Sequence, residues 1–137
     1  MPVKYSGETG INWILQGTVA ASAAAMTQIP VSITLVLGQN PVSSFRVYKG
    51  QRLELTDFYT NATQTPDCYL QIVVDNNPQP FTADLNSLYV GNQNKPKLPK
   101  FILGENHELV FYFYNIAANG STAATITAFV SGKIIES

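Results

Sequence analysis

Residues 109–115, Leu-Val-Phe-Tyr-Phe-Tyr-Asn, form the clearest strand pattern in the chain. Extended backbone points successive side chains to opposite faces, so leucine and phenylalanine share one face while valine and tyrosine share the other. The pattern ends at Asn115, a residue type that favours turns. It therefore predicts a strand whose two faces are both apolar or aromatic.

Short segments of the same kind lie on both sides of this strand and are separated by turn residues. The predicted strands are 29–37, 45–48, 52–61, 69–74, 81–90, 101–103 and 122–131. The alternation within 52–61 breaks at Asp57-Phe58, which predicts either a β-bulge or the end of regular pairing, and Gly132 is expected to end the last strand. Short strands at regular spacing predict an all-β sandwich or barrel.

The composition is that of one folded domain, with 137 residues, 45% of them hydrophobic and 12% charged. A net charge of −1 supplies no broad electrostatic field, so we expect neither nucleic acid nor an anionic membrane as a partner. No uniformly apolar stretch and no secretory signal pattern are found, so we expect assembly in the cytoplasm. A single cysteine, Cys68, excludes an internal disulfide.

The N-terminal residues 1–28 differ in pattern from residues 29–137, which we assign to the sandwich. The alanine-rich stretch 20–26 has good helix propensity but no clean cap, so a short helix is one interpretation. A first strand is another. A third interpretation is an extended arm that lies on a neighbouring subunit and uses apolar side chains as contacts: Ile11, Trp13 and Leu15.

Residues suited to catalysis are few. His107 is the only histidine, and nothing around Cys68 is typical of an activated thiolate. Four aspartates could bind calcium or act as a carboxylate pair: Asp57, Asp67, Asp75 and Asp84. They lack the spacing of a calcium-binding loop, and turn formation at residues 75–77 is the better explanation. No glycine-lysine pair precedes a helix suited to phosphate. We therefore expect no enzyme activity, no metal and no cofactor.

The tyrosines are more informative, because six of them exceed what one small core buries with satisfied hydroxyl groups. Two uses compete, namely contact between subunits and binding of sugars. For subunit contact the candidates are the mid-strand residues Tyr112, Tyr114 and Phe129, with the N-terminal residues named above. For a ligand the candidates lie in loops: Tyr59, Asn61, Asn92 and Asn94.

Four parts of the chain, residues 45–58, 104–111, Asn115 and 129–132, resemble small jelly-roll domains of virion proteins. Phage capsid and decoration proteins and trimeric receptor-binding heads belong to this group. The resemblance covers 29–135 and implies an antiparallel two-sheet β-sandwich of jelly-roll type. We expect about eight strands, with an N-terminal arm that is not part of the resemblance. It also implies association as a homotrimer.

The expected function is therefore that of a non-enzymatic virion structural protein, a jelly-roll capsid or decoration subunit that stabilises the shell. Its expected partners are copies of itself and other capsid subunits, in a virion assembled in the host cytoplasm. The alternative is a receptor-binding or carbohydrate-binding head of a phage spike or fibre, with a glycan as the ligand.

Overall fold

The first and last strands are the longest and lie side by side in one antiparallel sheet. In the computed structural model, which describes residues 7–96 and 98–136, β1 (Gly7–Val19) pairs with β10 (Ala124–Glu136) from end to end. The other strands of this first sheet give it the order β3-β1-β10-β5-β8. They are β3 (Ser32–Thr34), β5 (Gln51–Tyr59) and β8 (Phe101–Leu103).

The second antiparallel sheet is built around the 109–115 sequence, which lies in β9 (Glu108–Asn115). Its order is β2-β9-β6-β7, and a further short strand, β4, also pairs with β9. The remaining strands are β2 (Gln28–Pro30), β4 (Phe45–Arg46), β6 (Cys68–Val74) and β7 (Asn77–Asp84), and a 3-10 helix follows at Leu85–Leu88. The predicted all-β, two-sheet antiparallel β-sandwich is confirmed, with ten strands in the described residues instead of about eight.

The core lies between the two sheets, where alternate side chains of each strand meet. Phe111, Phe113, Leu70 and Ile72 cover the inner face of the second sheet. Opposite them the first sheet contributes further buried side chains: Trp13, Leu15, Leu53, Leu55, Ile126 and Val130. The alternation in β9 therefore leaves its tyrosines on the outer face of the second sheet.

Residues 7–19 belong to the core sheet and do not form an arm, because β1 pairs with β10 on one side and with β3 on the other. The stretch 20–26 is a loop of turns without a helix, and Ser22 and Met26 have left-handed backbone conformations. Asn115 holds this loop, since its side chain accepts a hydrogen bond from Thr27 N and donates to Ala24 O. Residues 1–6 of the predicted arm lie outside the described part.

The predicted strand 29–37 is divided between the sheets. Residues up to Pro30 pair with β9, whereas residues from Ser32 pair with β1, and buried Val31 lies at the point of exchange. The alternating pattern could not reveal this exchange, because an extended chain that changes sheets keeps the same period of two.

A bulge occurs in β5 at Thr56, one residue before the predicted position. Asp57 pairs with Ser131 and Leu55 pairs with Gly132, so Thr56 has no residue opposite it in the register, although its hydroxyl donates to Ser131 O at 3.3 Å. Gly132 does not end β10, as the sequence predicted, but lets it continue. A Cβ atom at this glycine would lie 2.0 Å from the Glu54 carbonyl oxygen, so only glycine lets the strands approach this closely.

No helix among the described residues has the length and apolar character needed to cross a membrane.

Candidate interaction surface

The outer face of the second sheet carries a cluster of tyrosine and glutamine side chains. Tyr69 on β6 lies opposite Tyr114 on β9, and in the next outward pair Gln71 lies opposite Tyr112. On the far side of β9, Gln28 and Pro30 of β2 continue the same two rows. We call this surface the tyrosine face: Gln28, Pro30, Tyr69, Gln71, Tyr112 and Tyr114.

The tyrosine face contains an open depression of about 410 Å³. The described side chains that line it are those of Met26, Tyr69, Gln71 and Tyr114, and none of them is charged. Met26 is 55% exposed at the rim of the depression. Its size lies within the range typical of small-ligand sites, and its chemistry combines aromatic rings, a thioether and one amide.

Tyr114 is oriented by a neighbour on β2. The Gln28 Nε2 amide donates a hydrogen bond to the Tyr114 hydroxyl oxygen at 2.8 Å. This contact between two side chains of the face restricts the ring without burying it, so the aromatic surface is preorganised for a partner.

Two carboxyl groups lie at one end of the tyrosine face. Asp84 pairs with Tyr69 across β6 and β7, and Asp67 precedes Tyr69 by two residues. The backbone N–H of Asn86 donates to Oδ1 of both aspartates, at 3.0 Å for Asp84 and 3.1 Å for Asp67. Among the described residues, neither carboxylate forms an ion pair.

This arrangement disfavours two negative charges. Burial, together with a hydrogen bond between the protonated Asp67 side chain and the Asp84 side chain, raises the pKa of Asp67 to about 7. Asp67 therefore keeps its proton in weak acid.

The predicted subunit-contact residues divide into three groups. Tyr112 and Tyr114 lie together on the tyrosine face, half-buried. Trp13 and Leu15 are buried in the protein's own core and Ile11 packs against it, so they do not form the arm contact that the sequence suggested. Burial within β1 leaves the Trp13 and Leu15 side chains no surface for another subunit.

Phe129 lies on the outer face of the first sheet, away from the other candidates. Its ring stacks on Tyr59, with centroids 5.3 Å apart and planes inclined by 15°. The Tyr59 hydroxyl donates to Asn12 Oδ1 at 3.2 Å, and Lys95 Nζ lies 5.6 Å from the centre of the Tyr59 ring. Tyr59, a predicted ligand residue, is thus engaged by three neighbours.

The other predicted ligand residues are exposed in loops at the same end of the molecule. Thr60 bridges Tyr89, which brings the loop that begins at Asn61 beside the loop that contains Asn92 and Asn94. The Asn92 side chain accepts a hydrogen bond from Asn94 N, so this amide shapes a turn.

Sequence reasoning missed Met26 and Gln71 as site residues. Gln71 alternates with core residues of β6, so the pattern that predicted the strand also placed this side chain beside Tyr69. Met26 had no such signal, because its stretch left a helix, a strand and an arm open. Its left-handed conformation depends on the loop around Asn115.

Cys68 and His107 do not form a catalytic pair. Cys68 begins β6 and is buried, and this burial raises the pKa of its thiol to about 12. His107 Nδ1 contacts Asp75 beyond the other end of β6, roughly 20 Å along the strand from Cys68. The hydrogen bond with His107 holds the pKa of Asp75 below its usual value.

Within the part of the chain that the structure describes, no three histidine, cysteine, aspartate or glutamate side chains are grouped as a metal site requires. Comparison with known proteins finds no family model and no curated protein that matches the chain.

Proposed function

We propose that the protein is a non-enzymatic structural subunit of a virion, a jelly-roll capsid or capsid-decoration protein that stabilises the shell by protein-protein contacts. The single observation that carries the proposal is the tyrosine face, an aromatic surface with a depression whose described lining residues carry no charge. Tyrosine and methionine are enriched at the centres of protein interfaces, whereas charged residues are depleted there.

The strand order supports the jelly-roll part of the proposal. The strands β1-β10-β5-β8 lie opposite β2-β9-β6-β7, so the first strand neighbours the last and most connections cross between sheets. Two interleaved Greek keys generate such an order, and the architecture occurs in viral capsid proteins. The resemblance described above implies a closed homotrimer as the assembly.

Light scattering of the purified full chain across a concentration series, followed by electron microscopy, tests this proposal. We expect a trimer or larger closed species whose fraction rises with concentration. The variant Ile102→Ser should assemble like the wild-type chain, because Ile102 is 54% exposed on β8, in the sheet that does not carry the tyrosine face. A chain that remains monomeric at every concentration, and that binds no shell lacking it, would contradict the proposal.

The depression itself favours one second candidate, a carbohydrate-binding head. Tyrosine rings and a glutamine amide can stack on and hydrogen-bond a neutral sugar in a site of this volume. A glycan array with the full chain tests this function. Binding lost in Tyr69→Ser would support it, and an array without hits would exclude it.

A further inference from the structure

One row of side chains on the second sheet joins the depression to a carboxyl group. Tyr114 of β9 lies opposite Tyr69 of β6, and Tyr69 lies opposite Asp84 of β7. Side chains that lie opposite one another in antiparallel strands share a face, with Cβ atoms about 5 Å apart. Asp84 is therefore the next residue of the row after a ring that lines the depression.

The carboxyl pair, Asp67 and Asp84, has capacity for a further donor. Oδ1 of both aspartates accepts from the same backbone N–H, that of Asn86, and Oδ1 of Asp67 also accepts from Cys68 N at 2.8 Å. A carboxylate can accept about four hydrogen bonds. Every ion pair in the described part of the chain uses a different acid. The pair is therefore a local concentration of acid beside the depression, and no described side chain supplies a cation to it.

The two arginines of the chain do not reach the carboxyl pair. Arg52 lies on the first sheet and donates to Glu54. Arg46 pairs with Glu108 at the start of β9, whereas Tyr114 lies near the end of that strand, about 20 Å away. An arginine at the carboxyl pair therefore comes from another molecule.

A guanidinium group suits both halves of this surface. Its flat face stacks on tyrosine rings, and its N–H groups form paired hydrogen bonds with carboxylate oxygens. The methylene groups of an arginine side chain can pack on the Met26 thioether at the rim. A water molecule takes about 30 Å³ in the liquid, so the depression of about 410 Å³ is larger than one arginine side chain. The rings and the adjacent acid together favour this cation over a neutral ligand.

We propose that the tyrosine face binds an arginine side chain of a partner protein, with the guanidinium group stacked on Tyr69 and paired with Asp67 and Asp84. This inference rests on the proposed function, since it names the side chain by which another capsid subunit contacts the face. Arginine is enriched in protein interfaces, as tyrosine and methionine are. A neutral sugar on the same rings would leave the carboxyl pair without a cation, so the two occupants differ in their dependence on charge.

This contact should strengthen as the pH rises through about 7, because Asp67 then loses its proton while the guanidinium group stays charged. The titratable groups that face Asp67 are Asp84 on β7, Cys68 and Tyr69 on β6, and Tyr114 on β9. Burial raises the pKa of the Cys68 thiol to about 12, so it keeps its proton throughout. The 3-10 helix contributes no titratable side chain. Asp67 is the member of this group whose pKa is raised into the range between pH 5 and 8.

The test uses N-acetyl-arginine methylamide as the probe and N-acetyl-citrulline methylamide as its matched control, which has the same shape without the charge. NMR titration of the full chain, followed at the Met26 methyl and tyrosine ring signals, measures both affinities at pH 5 and pH 8. At pH 8 we expect the arginine probe to bind at least about tenfold more tightly than the citrulline probe. Its affinity should fall at least about threefold at pH 5, whereas that of the citrulline probe should not change.

Three variants assign the contact to its residues. Asp67→Asn should bind the arginine probe at both pH values as the wild-type chain does at pH 5. Tyr69→Leu keeps an apolar side chain but removes the ring, and it should weaken binding of the arginine probe at least about threefold. Asp57→Asn is the control, because Asp57 is exposed on the first sheet and paired with Lys95, and it should bind like the wild type. Circular dichroism with thermal melting checks the fold of each variant, and the wild-type comparison of probes and pH values needs no variant.

Equal affinity for the two probes, or wild-type binding that does not change with pH, would overturn the arginine site. A lysine probe that binds as tightly as the arginine probe would overturn the assignment to a guanidinium group. A chain that assembles but does not bind the arginine probe would contradict this inference alone. A chain that binds the probe, yet remains monomeric and binds no shell, would contradict the proposed function alone.

Discussion

Both sheets carry aromatic side chains on their outer faces, but they use them differently. On the first sheet, Tyr59 is stacked on Phe129, hydrogen-bonded to Asn12 and covered by Lys95. On the second sheet, the tyrosine face remains open around a depression of about 410 Å³. An aromatic cluster whose rings contact other side chains of the same chain contributes to stability. An aromatic cluster with an open surface can instead bind another molecule. The composition of the two clusters is similar, so their neighbours decide the role.

The largest effect is expected when the first sheet loses β1. Deletion of residues 1–28 removes the strand that pairs with β10 and three core side chains, Trp13, Leu15 and Val19. We expect the shortened chain not to fold, with no cooperative thermal transition by circular dichroism. If it folded and lost only assembly, these residues would be an arm after all.

A matched pair of substitutions should separate the two faces. Phe129→Ala removes the ring stacked on Tyr59, and we expect the free energy of unfolding to fall by about 1–2 kcal/mol with unchanged assembly. Tyr112→Ser should change stability by less than about 1 kcal/mol but weaken association at least tenfold. Urea unfolding and sedimentation equilibrium measure the two quantities, and the reverse pattern would refute the assignment of roles.

The smallest effect concerns the carboxyl pair beside the tyrosine face. The pKa of Asp67 is about 7 in the folded protein, above the ordinary value of 3.8, so the folded chain keeps a proton that the unfolded chain releases. Protonation of Asp67 contributes its full stabilisation below pH 4. This stabilisation is lost as the pH rises towards 7, and above that pH the free energy of unfolding no longer depends on this group. We expect the melting temperature to fall by a few degrees between pH 5 and 8.

Asp67→Asn should abolish this pH dependence, because the amide oxygen can still accept from the same backbone N–H groups without ionising. Asp57→Asn is the control, since Asp57 is exposed on the first sheet and paired with Lys95. The lowered pKa values of Glu54 and Asp75 act in the opposite sense and below about pH 4.5, outside this window. If Asp67→Asn left the dependence of melting temperature on pH unchanged, groups other than Asp67 would be responsible for it.

The sequence predicted the sandwich and two of the six residues of the tyrosine face, because a period of two places Tyr112 and Tyr114 on one side of β9. It could not distinguish buried Trp13 and Leu15 from arm contacts, since both roles require alternating apolar side chains. Pairing partners decide between them, and β1 meets β10 across more than a hundred residues of sequence. The sequence favoured turn formation over a carboxylate pair for the same reason, because Asp67 and Asp84 approach only when β6 and β7 pair.

Hydroxyl-radical footprinting with mass spectrometry, on dilute and concentrated samples of the full chain, tests most directly whether the tyrosine face is the interface. We predict that Met26, Tyr69 and Tyr114 lose reactivity as the measured mass rises, while Tyr59 and Phe129 keep theirs. Growth in mass with unchanged reactivity on the tyrosine face, or protection at Tyr59 and Phe129 instead, would contradict the account.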